Sequence, residues 1–229
     1  LSGFVFDIRN DQHLALLAYG TDWTLERCGW RGEDPGYEFS IVPGVTDRYS
    51  SALIDQVYLG DGQTDQTSNG ALWCQANLPN AHQGVLTVKR SCFRHFVGNG
   101  VYATGAPTQN RYGRTHVEDC WFHANTIGNA RTGAKYGATC YVKNSKFLLD
   151  GTQPQTGAKH NYLYTTRAVW AWYGEVVVQN CDFDVYGQSS YTFAETDGGD
   201  IIEYNNEHND PDMSDIDGVP TSYSDILCD

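Results

Sequence analysis

Paired carboxylates are the first residues in this chain whose types and spacing suit chemistry. Glu118 and Asp119 stand directly before Cys120, and Asp182 and Asp184 flank Phe183. Two exposed acids a few ångströms apart can serve as acid and base in glycoside cleavage. Alternation along the strands turns Glu118 and Asp182 outward on neighbouring parts of one sheet, which makes them the candidate catalytic pair. The plainer reading of both is solvated surface charge. His95, His116 and His123 fall near one another in the same frame, but lone histidines at such positions are more often ordinary polar surface than catalysts or ligands.

A second group is aromatic. In Leu72-Trp73-Cys74, Val101-Tyr102-Ala103 and Val169-Trp170-Ala171-Trp172, the small and aliphatic residues alternate with large rings. If the former face inward, Trp73, Tyr102, Trp170 and Trp172 face outward, with Arg131 and Arg167 beside them. Large aromatics on a surface mark contact with a partner, and flat rings next to hydrogen-bonding groups suit sugar rings. The competing expectation is that an inserted loop over 151–167, with its own Tyr162 and Tyr164, folds across the strip and buries it.

Near the end of the chain Asp210, Asp212, Asp215 and Asp217 crowd into one stretch that finishes at Gly218. Closely spaced aspartates before a glycine suit a calcium loop, because a hard cation needs several oxygens wrapped round it from a tight turn. The spacing is not that of an EF-hand: Met213 stands where the first ligand belongs, and no Glu follows at the last position. Calcium at these four residues is one expectation, and a flexible acidic tail or capping loop is the other. No other cofactor is implied.

The elements that must hold these groups are legible as a repeat. Leu25-Glu26-Arg27-Cys28-Gly29-Trp30, Val88-Lys89-Arg90-Ser91-Cys92-Phe93, Val117-Glu118-Asp119-Cys120-Trp121-Phe122, Val142-Lys143-Asn144-Ser145-Lys146-Phe147 and Val178-Gln179-Asn180-Cys181-Asp182-Phe183 share one plan. Each is an aliphatic residue, two polar residues, a small Cys or Ser, a variable residue and an aromatic. A sixth copy, Ile202-Glu203-Tyr204-Asn205-Asn206-Glu207, reads with Asn205 at the small position and no aromatic, as expected near a terminal cap. Inward positions three apart and then two apart require the strand to bend at the polar residue between them. Asp119, Asn144 and Asn180 sit there, and these types tolerate a left-handed backbone. The small residues then form one column and the aromatics another, coil above coil. Between Cys28 and Ser91 the chain is long enough for two coils, or for one with a long excursion.

This aliphatic-x-Asn-Cys-x-Phe corner, followed by Gly98, Gly128, Gly151 and Gly187, resembles the right-handed parallel β-helix superfamily, which includes pectate-lyase-like enzymes and tailspikes. The resemblance implies an all-β fold: a single-stranded right-handed parallel β-helix (solenoid) over 1–207, with inserted loops and an irregular, acidic C-terminal cap or tail over 208–229. A β-sandwich also uses short strands between Gly-rich turns, but it has no reason to repeat a small residue and an aromatic at matching corners. Glycoside hydrolases on the β-helix fold resemble one another in Asn-Thr-Asp, Asp-Asp, Gly-His-Gly and Arg-Ile-Lys strings, and none occurs here. The arginine motifs of pectate lyases are also missing, so fold alone carries no activity across.

Composition narrows the setting. The net charge is −13, from 28 acidic and 15 basic residues, with Asp far outnumbering Glu and Arg outnumbering Lys. Such a surface resembles those of haloarchaeal proteins or their viruses, and it argues against nucleic acid, whose phosphates need a basic face. No run of eighteen apolar residues is present, so membrane insertion is not expected. The chain begins without Met and without a signal-peptide layout, which reads as a mature product or an excised domain. Of seven cysteines, Cys28, Cys120 and Cys181 fall in the small column as compact apolar groups. Free thiols are expected for the most part, with Cys74, Cys92 and Cys140 the ones placed to bridge. Two function classes follow. One is a non-enzymatic extracellular, cell-surface or virion-surface β-helix that contacts a polysaccharide or surface glycan and assembles as a homotrimer or larger array. The other is a polysaccharide lyase or glycoside hydrolase working in a groove on one sheet face.

Overall fold

The computed structural model describes residues 1–10, 12–35, 39–63, 70–74, 82–103, 112–134, 136, 138–150, 166–187 and 189–227. The chain runs through β1 (Ser2–Asp7), β2 (Leu16–Gly20), β3 (Trp23–Arg31), β4 (Ile41–Val45), β5 (Ser51–Leu59), β6 (Leu72–Trp73), β7 (Val85–Lys89), β8 (Cys92–Arg94) and β9 (Asn99–Tyr102). It continues through β10 (Arg114–Glu118), β11 (Trp121–His123), β12 (Gly128–Thr132), β13 (Cys140–Lys143), β14 (Lys146–Asp150), β15 (Thr166–Gln179), β16 (Asp182–Tyr186), β17 (Ser190–Tyr204) and the short helix α1 (Tyr223–Leu227). Among the described residues the strand pairings are parallel, and partners lie one coil apart. The fold is therefore a parallel β-solenoid with three sides. Side 1 includes β7, β10 and β13, side 2 includes β8, β11, β14 and β16, and side 3 includes β4, β6, β9 and β12. The long strands β15 and β17 each supply side 3 and then turn onto side 1. That turn is made at Tyr173 and Gly174 in β15 and at Asp197 and Gly198 in β17, all with positive φ.

The corner between sides 1 and 2 is left-handed in every coil that has one. Arg27, Gln56, Arg90, Asp119, Asn144, Asn180 and Asn205 all have φ between 44° and 54°. In the later coils the corner side chains hold one another: Asn144 Nδ2 donates to Asp119 Oδ1 at 3.0 Å, Asn180 Nδ2 to Asn144 Oδ1 at 3.3 Å, and Asn205 Nδ2 to Asn180 Oδ1 at 2.9 Å. Side-chain amides thus offset part of the cost of a left-handed non-glycine residue.

The small position just past the corner is small for a hydrogen-bonding reason. Cys28, Ser91, Cys120, Ser145 and Cys181 each donate to the carbonyl two residues back, at 2.7 to 3.4 Å. The turned backbone N–H is taken up by the coil above: Val57 N donates to Ser91 Oγ and Cys120 N to Ser145 Oγ, both at 3.1 Å. Cys181 N donates to Asn206 Oδ1 at 3.0 Å. The last copy is therefore in a different register from the one its letters suggest. Asn205 is the corner, Asn206 is the inward residue, and Tyr204 pairs with Gln179. The ring is also kept: His208 stacks on Phe183 at 5.0 Å, continuing the ladder Phe93, Phe122, Phe147 and Phe183, whose centroids lie 5.0 to 5.5 Å apart. The stretch between Cys28 and Ser91 holds two coil steps, since Val57 pairs with Cys28 on one side and donates its N–H to Ser91 Oγ on the other, while carrying no thiol or hydroxyl itself. Cys28, Cys74, Cys92, Cys120, Cys140 and Cys181 are buried and free; Cys228 lies outside the described residues.

The irregular C-terminal segment does more than close the last coil. From His208 it runs back along side 2 toward the first coils. Lys146 Nζ donates to Ser214 O at 2.7 Å, Gln56 Nε2 to Gly218 O at 3.1 Å, Tyr223 Oη to Trp30 O at 2.6 Å, and Arg27 to Ile226 O at 3.4 Å. Val219 and Ile226 are buried against Tyr58 and Cys92, with Ile216, Trp121 and Tyr223 around them. No described helix is long and apolar enough to cross a membrane.

Candidate functional site

On side 3, parallel pairing places Leu72, Val101, Ala130 and Val169 in one inward row, and Trp73, Tyr102, Arg131 and Trp170 in the outward row beside it. Adjacent rungs in a sheet are about 4.8 Å apart, close enough for rings and a guanidinium to interleave. The Arg131 guanidinium carbon lies 4.1 Å from the Tyr102 ring, 4.1 Å from Trp170 and 3.4 Å from Trp172. Trp172 is parallel to Trp170 within 9° at 5.6 Å and to Tyr102 within 8° at 6.3 Å. Trp73 joins through Tyr102 at 6.2 Å and is flanked by Phe39 at 5.1 Å. Arg167 lies over Trp170 at 4.3 Å. The six residues expected to bind ligand, Trp73, Tyr102, Arg131, Arg167, Trp170 and Trp172, thus form one continuous patch.

The patch is less exposed than alternation alone suggests. Its four rings are half-buried, and Arg131 is only 6% exposed. Burial pushes the Arg131 pKa down to about 10, with Tyr102 partly opposing the shift and Arg167 adding to it. Among the described residues no carboxylate forms an ion pair with Arg131, and its Nε–H is buried without an acceptor. The indole Nε1–H of Trp172 is likewise unmatched, while that of Trp170 donates to Thr196 Oγ1 at 2.9 Å. A desolvated cation is costly unless paired; here the ring faces supply the attraction and leave hydrogen-bonding capacity unspent. The loop expected to fold over the strip, with Tyr162 and Tyr164, lies outside the described residues. Phe39, which extends the patch beyond Trp73, was not legible in sequence because it precedes β4 and stands outside the strand alternation that marks the other rings.

The carboxylates are arranged differently. Glu118 ends β10 on side 1, between Lys89 and Lys143 on the adjoining coils. Asp182 begins β16 on side 2, beside Lys146, and accepts from Asp212 N at 3.3 Å. One whole coil separates them and they stand on opposite sides of the left-handed corner, so the fold does not bring them together as a pair. His95 and His123 are neighbours, 5.0 Å between ring centroids, and burial pushes both down to about 4. His116 is elsewhere, on side 1, where its Nδ1 accepts from Tyr141 N at 3.2 Å.

The four C-terminal aspartates are spread along the returning segment instead of closing on one point. Asp212 pairs with Lys146 at 3.5 Å and Asp215 lines a cavity near Arg94. Asp210 and Asp217 are exposed, and among the described residues no three His, Cys, Asp or Glu side chains gather as a metal site would require. No family model, curated protein or solved structure matches this chain. The site must therefore be read from its own geometry.

Proposed function

We propose that this chain is a non-enzymatic β-helix of an extracellular, cell-surface or virion-surface protein that contacts glycans through the side 3 patch. The single observation that carries this reading is a buried guanidinium with no ion-pair partner among the described residues, held against the half-buried rings of Tyr102, Trp170 and Trp172 on an outer sheet face. A sugar presents C–H faces to such rings and hydroxyl oxygens to unmatched N–H donors, so one ligand class meets both needs. The kinship we extend to this solenoid is with the pectate-lyase-like superfamily, in a type resembling haloarchaeal or haloarchaeal-virus surface proteins. The acidic balance of 28 to 15 supports that extension.

A glycan array tests the proposal. Binding by the full chain is expected to weaken at least tenfold in Trp170→Ala, the loss of one stacking ring being worth more than about 1.4 kcal/mol. It is expected to persist in Glu118→Gln and Asp182→Asn. Turnover of a polysaccharide, seen as new reducing ends or unsaturated products and abolished by either acid variant, would replace this reading with an enzymatic one.

A further inference from the structure

Beneath the returning C-terminal segment, on side 2 and so on a different face from the aromatic patch, lies a cavity of about 200 Å³. Its floor is the outer face of side 2, where Cys92, Trp121, Arg94, His123 and Leu148 project from β8, β11 and β14. Its roof comes from Asp215 and Thr221. Two donors in this wall have no acceptor: the Nε1–H of Trp121 and the Nε–H of Arg94 are both buried and unmatched among the described residues. Buried N–H groups are rarely left so without a ligand, ion or water to take them.

The chemistry of the wall is mixed in a particular way. One guanidinium and one carboxylate face the same space, so an anion drawn by Arg94 meets Asp215, and a cation drawn by Asp215 meets Arg94. His123 adds no charge near neutral pH, since burial and the adjacent His95 and Arg94 hold it down to about 4. The Cys92 thiol, pushed up to about 12 by burial, is an inert apolar surface. The indole of Trp121 and the side chain of Leu148 supply a flat apolar wall. The space is below the range of about 300–1,000 Å³ typical of larger ligands, and equals the volume of about seven waters.

We infer that this cavity is a second binding site, for a single neutral pyranose ring. Ring hydroxyls donate to the Asp215 carboxylate, oxygens of the sugar accept from Arg94 Nε and Trp121 Nε1, and the C–H face of the ring lies on the indole. This site is independent of the side 3 patch, shares no residue with it, and takes one sugar unit instead of a stretch of chain.

Saturation-transfer NMR and calorimetry on the full chain, with glucose, galactose, mannose and N-acetylglucosamine as probes and glucuronate and acetate as charged comparators, test the inference. At least one neutral pyranose is expected to bind, with Asp215→Asn and Trp121→Phe each weakening it about tenfold, as expected for weakening one charge-assisted hydrogen bond and for losing one from a buried N–H. Asp215 is exposed, so its Asn variant keeps the fold and carries the test even if Trp121→Phe does not. Trp170→Ala, on the side 3 patch, leaves this signal intact, which separates failure here from failure of the glycan reading above. Two results would overturn the inference: no neutral pyranose binding at millimolar concentration, or wild-type affinity in Asp215→Asn.

Discussion

Among the described residues two lysine or arginine side chains are buried on outer faces of this solenoid, and the chain treats them oppositely. Lys146 on side 2 is 8% exposed, and the returning segment brings it Ser214 O at 2.7 Å and Asp212 at 3.5 Å. Arg131 on side 3 is 6% exposed and is met by ring faces and a neighbouring arginine, with Asp197 acting on it at longer range and no ion pair among the described residues. A buried cation is tolerable either when the fold delivers an acceptor or when π faces stand in for one. In the first arrangement the charge is used to anchor the protein's own backbone. In the second the guanidinium Nε–H is left without an acceptor among the described residues. The difference between the two faces is therefore one of who supplies the partner, and it can be attacked from either side.

The strongest blow falls on side 2. Ile226 is fully buried at the far end of the returning segment, against the cluster of Tyr58, Cys92 and Val219. Ile226→Ala removes three buried carbons and should lower the unfolding free energy by about 2–5 kcal/mol, measured as a fall in the urea midpoint. An unchanged midpoint would mean that the segment lies on side 2 without holding it, and the contrast with side 3 would lose its basis.

Acid is the next largest perturbation, and it discriminates between the faces. His82, His95, His116 and His123 are each held down to about 4, first of all by burial. In the unfolded chain they titrate near 6.5, so between pH 6.5 and 4 the unfolded state binds more protons and stability falls as pH falls. The contribution is fully present above about pH 6.5 and gone below about 4. For His82, which is completely buried, the loss is on the order of 3 kcal/mol. Urea midpoints measured from pH 7 to pH 4 should fall accordingly, with part of the fall removed in His82→Gln. A flat profile over that range would show these imidazoles reach solvent. Arg131 keeps its charge throughout, so the side 3 patch should hold its ligand until the fold itself gives way.

How much of this could be seen in the letters depends on which interaction each position serves. The small column was legible because Cys and Ser both donate two residues back while filling little space. Val57 does neither, and the coil it belongs to did not announce itself. Corners were readable at Asp119, Asn144 and Asn180, whose side chains favour the left-handed backbone, and silent at Arg27, Gln56 and Arg90, where packing imposes the same φ against local preference. The final copy misled because Ile201 and Ile202 offer two aliphatic registers; pairing with Val176 and Val177 chooses between them, and only then does His208 become the ring. The side 3 patch followed from alternation alone. The cavity on side 2 did not, since Asp215 reaches Trp121 and Arg94 only through the return of a segment whose acidic letters suggested a cation loop.

The smallest expected effect is the most direct test of the comparison, because it asks what each buried cation does. In Lys146→Met the Ser214 carbonyl loses its donor, while Asp212, whose side chain is 74% exposed, simply returns to water. The cost should be about 1 kcal/mol, with glycan retention unchanged. In Arg131→Met the lost cation–π attraction, about 1–2 kcal/mol, is offset by no longer desolvating an unpaired charge. Stability should therefore move by less than about 1 kcal/mol while glycan retention falls. Parallel urea titrations and array measurements on the two variants separate these outcomes. If Arg131→Met proved the more destabilising and left retention untouched, Arg131 would be a structural strut between coils like Lys146, and the two faces would differ only in which atoms they use to bury a cation.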